Sequence, residues 1–241
     1  MFSFDSTVRF SECDESSTLT LVSLINYLQD CSAFHTESLD VGIEFQRRSG
    51  YAWAITSWRI EIERLPHLCD PIKVSTFCYS IKGTHAMRNY AIFDESGERL
   101  VAADAKYVVF DRATGKIMRI PESESIYLED TPRLDTGALE KKILLPGDYD
   151  ACEPIVISKH HLDYNDHVNN AQYVQMAVEA ASAIRDLGTP RALDVQYRKM
   201  AFLGDTVVPH VRFEEPYACI DLADGDGASY AIIRIEYAGR S

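Results

Sequence analysis

Two stretches of the chain carry helical spacing of apolar residues, and each is followed by a run of segments built for strands. In the first, Leu21, Leu24, Ile25 and Leu28 recur at i, i+3, i+4 and i+7; in the second, Val174, Ala177, Val178 and Ala181 do the same. Each set falls on one helical face. After the first helix, which the pattern starts near Thr18 and ends near Gly42, residues 52–63, 72–82, 86–93 and 100–110 are rich in β-branched and aromatic residues. After the second, residues 192–199, 206–214, 218–222 and 230–237 read the same way, and Asp94-Glu95-Ser96-Gly97 and Asp224-Gly225-Asp226-Gly227 mark hairpin turns. A short strand is predicted ahead of each helix, within 7–15 and at 155–159. One long helix followed by an antiparallel meander, twice over, predicts an α+β chain of two tandem domains.

The boundaries follow from composition. Residues 121–150 carry Pro121, Pro132, Pro146 and several acids with little apolar periodicity, the pattern of a linker. That gives domains at 1–120 and 151–241. A shift of 146 residues lays Tyr27-Leu28-Gln29 on Tyr173-Val174-Gln175 and Gly42 on Gly188. In that register Ser17, Leu19 and Leu21 fall on Asp163, Asn165 and His167, so the first half lacks the polar triplet of the second.

That triplet, in Leu162-Asp163-Tyr164-Asn165-Asp166-His167-Val168-Asn169-Asn170, is the densest chemistry in the chain. In an extended segment Asp163, Asn165 and His167 share one face. Asn169 and Gln172 have the spacing of a capping box for a helix over 170–187, whose free first-turn N–H groups favour developing negative charge. An imidazole near neutrality is a proton acceptor, an amide orients water or a carbonyl, and helix-start N–H groups can hold an oxyanion. Asp163 can orient its neighbours, activate water or attack a carbonyl itself, and the spacing leaves these three roles open. The plainer reading makes Asp163 and Asn165 loop formers and His167 a packed residue.

Composition narrows the partners. A net charge of −13 on 241 residues argues against nucleic acid. No apolar run reaches the ~20 residues of a membrane span and the first residues do not read as a leader, which predicts a cytoplasmic protein with no membrane partner. Six scattered cysteines and the isolated pair His160-His161 give no metal-ligand spacing, so neither metal nor cofactor is implied.

The motif Leu-Asp-Tyr-Asn-Asp-His-Val-Asn-Asn-Ala-Gln-Tyr resembles the Leu-Asp-x-Asn-x-His-Val-Asn-Asn-x-x-Tyr signature of the acyl-acyl carrier protein thioesterases of plants and bacteria. Trp53 opening a strand, the Leu65-Pro66 turn before Asp70-Pro71-Ile72-Lys73-Val74 and the Asp94–Gly97 hairpin are similar to the family's first half. The resemblance implies a double hotdog, each domain a long central helix wrapped by an antiparallel sheet. It implies hydrolysis of fatty acyl thioesters on acyl carrier protein, the acyl chain lying largely against the first hotdog. Asp163, Asn165 and His167 are then catalytic, and the partner is a carrier protein with a 4'-phosphopantetheine-linked acyl chain. The family places Glu in a Tyr-x-x-Glu context where this chain has Tyr197-Arg198-Lys199-Met200. Trp53, Asn169 and Tyr173 are candidate substrate-binding residues, each with a plainer alternative: packing for the aromatics, capping for Asn169. Lys82, Arg88, Lys106, Arg112, Lys116, Arg185, Arg198 and Lys199 are candidate carrier-docking cations. The competing classes are an acyl-CoA thioesterase, a hotdog hydratase, whose Asp-x-Asn-Pro-x-His pattern this chain does not keep, and a non-catalytic acyl-binding module. Two fused hotdogs make a homodimer optional.

Overall fold

The protein is described by a computed structural model covering residues 1–140, 142, 143, 147 and 149–238. Pro146 of the predicted linker lies outside the described residues. The chain divides into two compact units, Met1–Leu139 and Glu140–Ser241.

The first unit contains β1 (Phe2–Thr7), α1 (Leu21–Ser38), α2 (Ile43–Arg48), β2 (Tyr51–Ile62), β3 (Pro71–Lys82), β4 (His85–Asp94), β5 (Arg99–Asp111) and β6 (Ile117–Met118). Its strands run in the order β1-β3-β4-β5-β2, all antiparallel, with β6 on β5. The second unit contains β7 (Asp150–Ala151), β8 (Ile155–Val156), α3 (Asn170–Ile184), β9 (Pro190–Tyr197), β10 (Thr206–Glu214), β11 (Tyr217–Ala223) and β12 (Ser229–Tyr237). Its order is β9-β12-β11-β10-β7, again antiparallel, with β8 on β10. Each unit is thus a hotdog: one long helix packed on one face of an antiparallel sheet. Leu21, Leu24, Ile25 and Leu28 are buried on α1, and Ala171, Tyr173, Val174, Met176, Ala177, Ala180 and Ala181 on α3. Burial of these faces, not helix propensity, holds the helices in place. No helix among the described residues is long and apolar enough to cross a membrane.

Three local readings change. The first strand is Phe2–Thr7, not within 7–15, because Phe2 and Phe4 alternate inward while the chain after Thr7 coils into a 3₁₀ turn at Phe10–Glu12. The second short strand stops at Val156, and a 3₁₀ turn at Lys159–His161 follows, braced by the Ser158 N–H donating to His161 Nδ1 at 3.0 Å. Gly42 caps α2 instead of ending α1.

Described residues of the proline-bearing stretch are held at several points. Within the first unit Glu122–Tyr127 form a 3₁₀ helix with Glu124 and Tyr127 buried. Leu134 N–H donates to Asn89 Oδ1 at 2.8 Å, and Arg133 pairs with the buried Asp104 at 2.9 Å. In the second unit Gln196 holds the Glu140 carbonyl and the Ile143 N–H, each at 3.1 Å.

Arg88 is a correction to the surface cations. It is 6% exposed, on the helix-facing side of β4, where Nη1 donates to His35 Nδ1 at 2.9 Å and to Thr76 Oγ1 at 3.2 Å. Period-two alternation put it inside, since Ala86, Tyr90 and Ile92 are its buried neighbours on that face. Burial, with the adjacent guanidinium, lowers the His35 pKa to about 4. The neutral imidazole accepts the Arg88 bond; protonation would set two cations at hydrogen-bond distance. An unfolded His titrates near 6.5, so between about 6.5 and 4 the unfolded chain binds the proton that the folded one refuses. Stability is therefore expected to fall as pH drops through that window, by up to about 3 kcal/mol. Thermal melts at pH 7.5 and 5 check this: the wild-type drop should exceed that of His35→Gln, and equal drops would contradict it.

Candidate active site

The signature segment is not extended. Asp163 N–H donates to the His167 carbonyl at 2.8 Å, Asp166 N–H to the Asp163 carbonyl at 3.2 Å, and Leu162 bridges Val168, so residues 163–167 form a tight hairpin turn. Asp166 sits at φ 60°, a left-handed conformation that Asp tolerates better than most residues. The sorting expected of a strand is kept only in part, because Val168, which a strand would group with Tyr164 and Asp166, is buried. Asp163, Asn165 and His167 are half-buried, while Tyr164 and Asp166 are exposed. The Asp163–His167 bond sets the first and last of the three side by side on the backbone. Asn165 lies between them, its N–H on Asp163 Oδ1 at 2.7 Å.

The turn is tied on both sides. Asn169 N–H donates to the His161 carbonyl at 2.9 Å, and Val168 N–H to the Ala201 carbonyl at 3.0 Å. Ala201 N–H in turn donates to the buried Tyr173 hydroxyl at 2.9 Å. Phe202, next along, lays its ring against His167 with centroids 5.1 Å apart and planes at 78°. Phe202 N–H donates to Asp205 Oδ2 at 2.9 Å, which fixes the loop that carries the ring. Phe202 was not singled out by spacing; it sits in a loop far from the motif, and no periodicity marks it. Tyr164, Met200, Phe202 and Leu203 leave apolar surface exposed around or near this turn.

The remaining candidates do the following. Asn169 caps α3, its side chain accepting from Ala171 N–H at 2.9 Å and its carbonyl from Gln172 N–H at 2.9 Å. Two of the first-turn N–H groups predicted to hold an oxyanion are therefore engaged by the cap. Tyr173 is 3% exposed, and burial raises its pKa to about 12. Trp53 donates from Nε1 to Glu124 Oε2 at 2.9 Å and packs edge-on to Tyr107 and Tyr127. Met200 is 40% exposed and provides no carboxylate. Among the described residues no group of His, Cys, Asp and Glu is gathered as metal ligands would be.

The first unit contains the same turn, in a register that corrects the 146-residue shift. Cys13 bridges Leu19, Asp14 N–H donates to the Thr18 carbonyl at 2.9 Å, Ser17 lies at φ 61°, and Thr20 caps α1 as Asn169 caps α3. Asp14, Ser16 and Thr18 thus stand where the second unit has Asp163, Asn165 and His167. A single shift fails because α1 is 18 residues long and α3 is 15. Their ends superpose at 146, whereas their starts need three residues more. The first unit keeps the acid and has neither the amide nor the imidazole.

Residues 1–126 match the family model for the acyl-ACP thioesterase N-terminal domain, and residues 153–238 that for its C-terminal domain. The chain is 26% identical over 216 residues to the chloroplastic palmitoyl-acyl carrier protein thioesterase of Gossypium hirsutum, covering 83% of this chain and 52% of that protein. It is 23% identical over 241 residues to the chloroplastic oleoyl-acyl carrier protein thioesterase 2 of Arabidopsis thaliana, covering 92% and 65%. The chain spans between half and two thirds of the length of these relatives. Its fold is that of the 12:0-ACP thioesterase from Umbellularia californica, with TM-score 0.86, 17% identity and coverage of 98% and 96%. An acyl-ACP thioesterase from Bacteroides thetaiotaomicron gives 0.81, 17%, 98% and 97%.

Proposed function

The chain belongs to the acyl-ACP thioesterase family, and on that premise we propose that it hydrolyses fatty acyl-acyl carrier protein thioesters to free fatty acid and holo-carrier, the step that ends fatty acid synthesis. The observation that carries this reading is the turn at 163–167. It supports an amide and an imidazole, both half-buried, ahead of α3 and beside exposed apolar surface suited to an acyl-pantetheine arm.

In this reading His167 accepts a proton from water as its oxygen bonds to the acyl carbon and the carbonyl electrons move to oxygen. Asn165 orients the water or the carbonyl through its amide. Collapse of the tetrahedral species breaks the carbon–sulfur bond, and the imidazolium returns its proton to the departing pantetheine thiolate. With Met200 at the position of the family's Glu, water activation falls to His167. The second unit carries the chemistry. The first keeps the turn without amide or imidazole, which supports a binding role for it.

The test is turnover. Purified protein should release fatty acid from acyl carrier protein loaded with chains of varied length, and do so faster than from the matching acyl-CoA. Preference for CoA would overturn the carrier assignment. Binding of the carrier with no release of fatty acid would reduce the protein to an acyl-holding module.

A further inference from the structure

Among the described residues the five-residue turn of the candidate site occurs four times, at 14–18, 94–98, 163–167 and 224–228. In each, the N–H of the first residue donates to the carbonyl of the fifth, at 2.9, 2.9, 2.8 and 2.9 Å in chain order. The fourth residue is left-handed each time: Ser17 at φ 61°, Gly97 at 86°, Asp166 at 60° and Gly227 at 83°. The first residue is always Asp, and its Oδ1 accepts the N–H of the third at 2.9 Å from Ser16, 3.0 Å from Ser96, 2.7 Å from Asn165 and 3.0 Å from Asp226. At Asp14, Asp94 and Asp224 the same oxygen also takes the N–H of the fifth residue, a tie that Asp163 does not make among the described residues.

Two of these turns are plain hairpin ends, and a third is the first unit's counterpart of the candidate site. None of the three holds an amide third and an imidazole fifth. The feature common to all four is what the turn needs; the feature unique to one is what its chemistry needs. Asp belongs to the first class, Asn165 and His167 to the second. Oδ1 accepts three bonds within the turn at Asp14 and at Asp94, where the Ser16 and Ser96 hydroxyls add to the two N–H groups, and two at Asp224, so the turn at 163–167 depends more on its one bond from Asn165.

Resting on the reading of this site as hydrolytic, we infer that Asp163 is a positioning residue. Its carboxyl oxygen shapes the turn that presents Asn165 and His167, and it neither attacks the acyl carbon nor takes the proton from water. An acceptor oxygen is sufficient for that task, and an amide has one.

Asp163→Asn keeps the acceptor and abolishes the nucleophile and the base. With fatty acyl carrier protein as substrate, Asp163→Asn should keep kcat/KM within about tenfold of wild type, and the acid limb of the pH profile should stay where it was. Asp163→Ala should lose at least about a hundredfold, in kcat and not in KM, because the turn that aims His167 is loosened. Asp163→Ser, with a hydroxyl acceptor, should fall between them and stands in for Asp163→Ala should that variant fail to fold. Mass spectrometry of the variant protein excludes deamidation back to Asp. Equal losses in a folded Asp163→Asn and Asp163→Ala, or wild-type kcat in Asp163→Ala, would overturn the inference. Failure of the underlying reading looks different: His167→Ala would then retain activity whatever Asp163 does.

Discussion

His167→Ala is expected to lower kcat/KM for fatty acyl-carrier hydrolysis by about 10³, within the range that a general base contributes. The ring is held by contacts that do not depend on substrate: the backbone bond from Asp163 to its carbonyl, and the Phe202 ring set edge-on at 5.1 Å. Truncating it removes the proton acceptor but leaves the turn's backbone bonds, so the melting temperature should move by little. Asn165→Ala should cost about 10², the scale for one orienting or oxyanion-stabilising group. The first unit supplies the control. Thr18, the counterpart of His167, hydrogen-bonds through Oγ1 with His67 Nδ1 at 3.2 Å and has no part in the proposed chemistry. Thr18→Ala should therefore leave turnover unchanged. Steady-state kinetics on the three purified variants decide the matter. Loss in Thr18→Ala equal to that in His167→Ala would mean that the two turns matter only for folding, and the second unit's claim to the chemistry would fall.

Much of this was legible in the chain, and the parts that were not have identifiable reasons. Period 3.6 in α1 and α3 and period 2 in the long strands are written by burial of one face, so those elements fell within a few residues of their observed ends. The sharing of one face by Asp163, Asn165 and His167 follows for an extended segment, and even spacing does not distinguish a strand from the five-residue turn that the loop forms. The signal that separates the two was present: Asp-Glu-Ser stands at both 14–16 and 94–96, and the second is a hairpin turn. That recurrence marks 14–18 as a turn, but both copies lie in the first unit, so it does not set the register between the halves. The 146-residue shift came instead from helix ends, where a difference of one turn between α1 and α3 is silent. Phe202 and Ala201 were invisible for a third reason. They reach the site through tertiary contacts with His167 and Tyr173, and nothing local records them.

Glu124 shows the same limit in the first unit's core, and Glu124→Ala is expected to cost about 3–5 kcal/mol of stability. A composition-based reading places this residue in a linker, amid prolines and acids. In the fold it is fully buried, with Oε1 accepting from the Tyr51 hydroxyl and Oε2 from Trp53 Nε1. Burial and the adjacent carboxylate push the Tyr51 hydroxyl's pKa up, so it stays a donor throughout the accessible pH range. Removing the carboxylate leaves the Tyr51 hydroxyl and the Trp53 indole N–H facing a void, and each orphaned donor carries its own desolvation cost. Glu124→Gln tests whether the charge or the hydrogen bonding matters. Its amide oxygen can accept from the indole, and its NH₂ can donate to the Tyr51 oxygen once that hydroxyl rotates, so the loss should stay near 1 kcal/mol. Urea unfolding followed by tryptophan fluorescence separates the two variants, since the Trp53 indole is itself one of the donors. If Glu124→Ala unfolds at the wild-type midpoint, the cluster is held by aromatic packing alone. If Glu124→Gln is as damaging as Glu124→Ala, the negative charge is what the site requires.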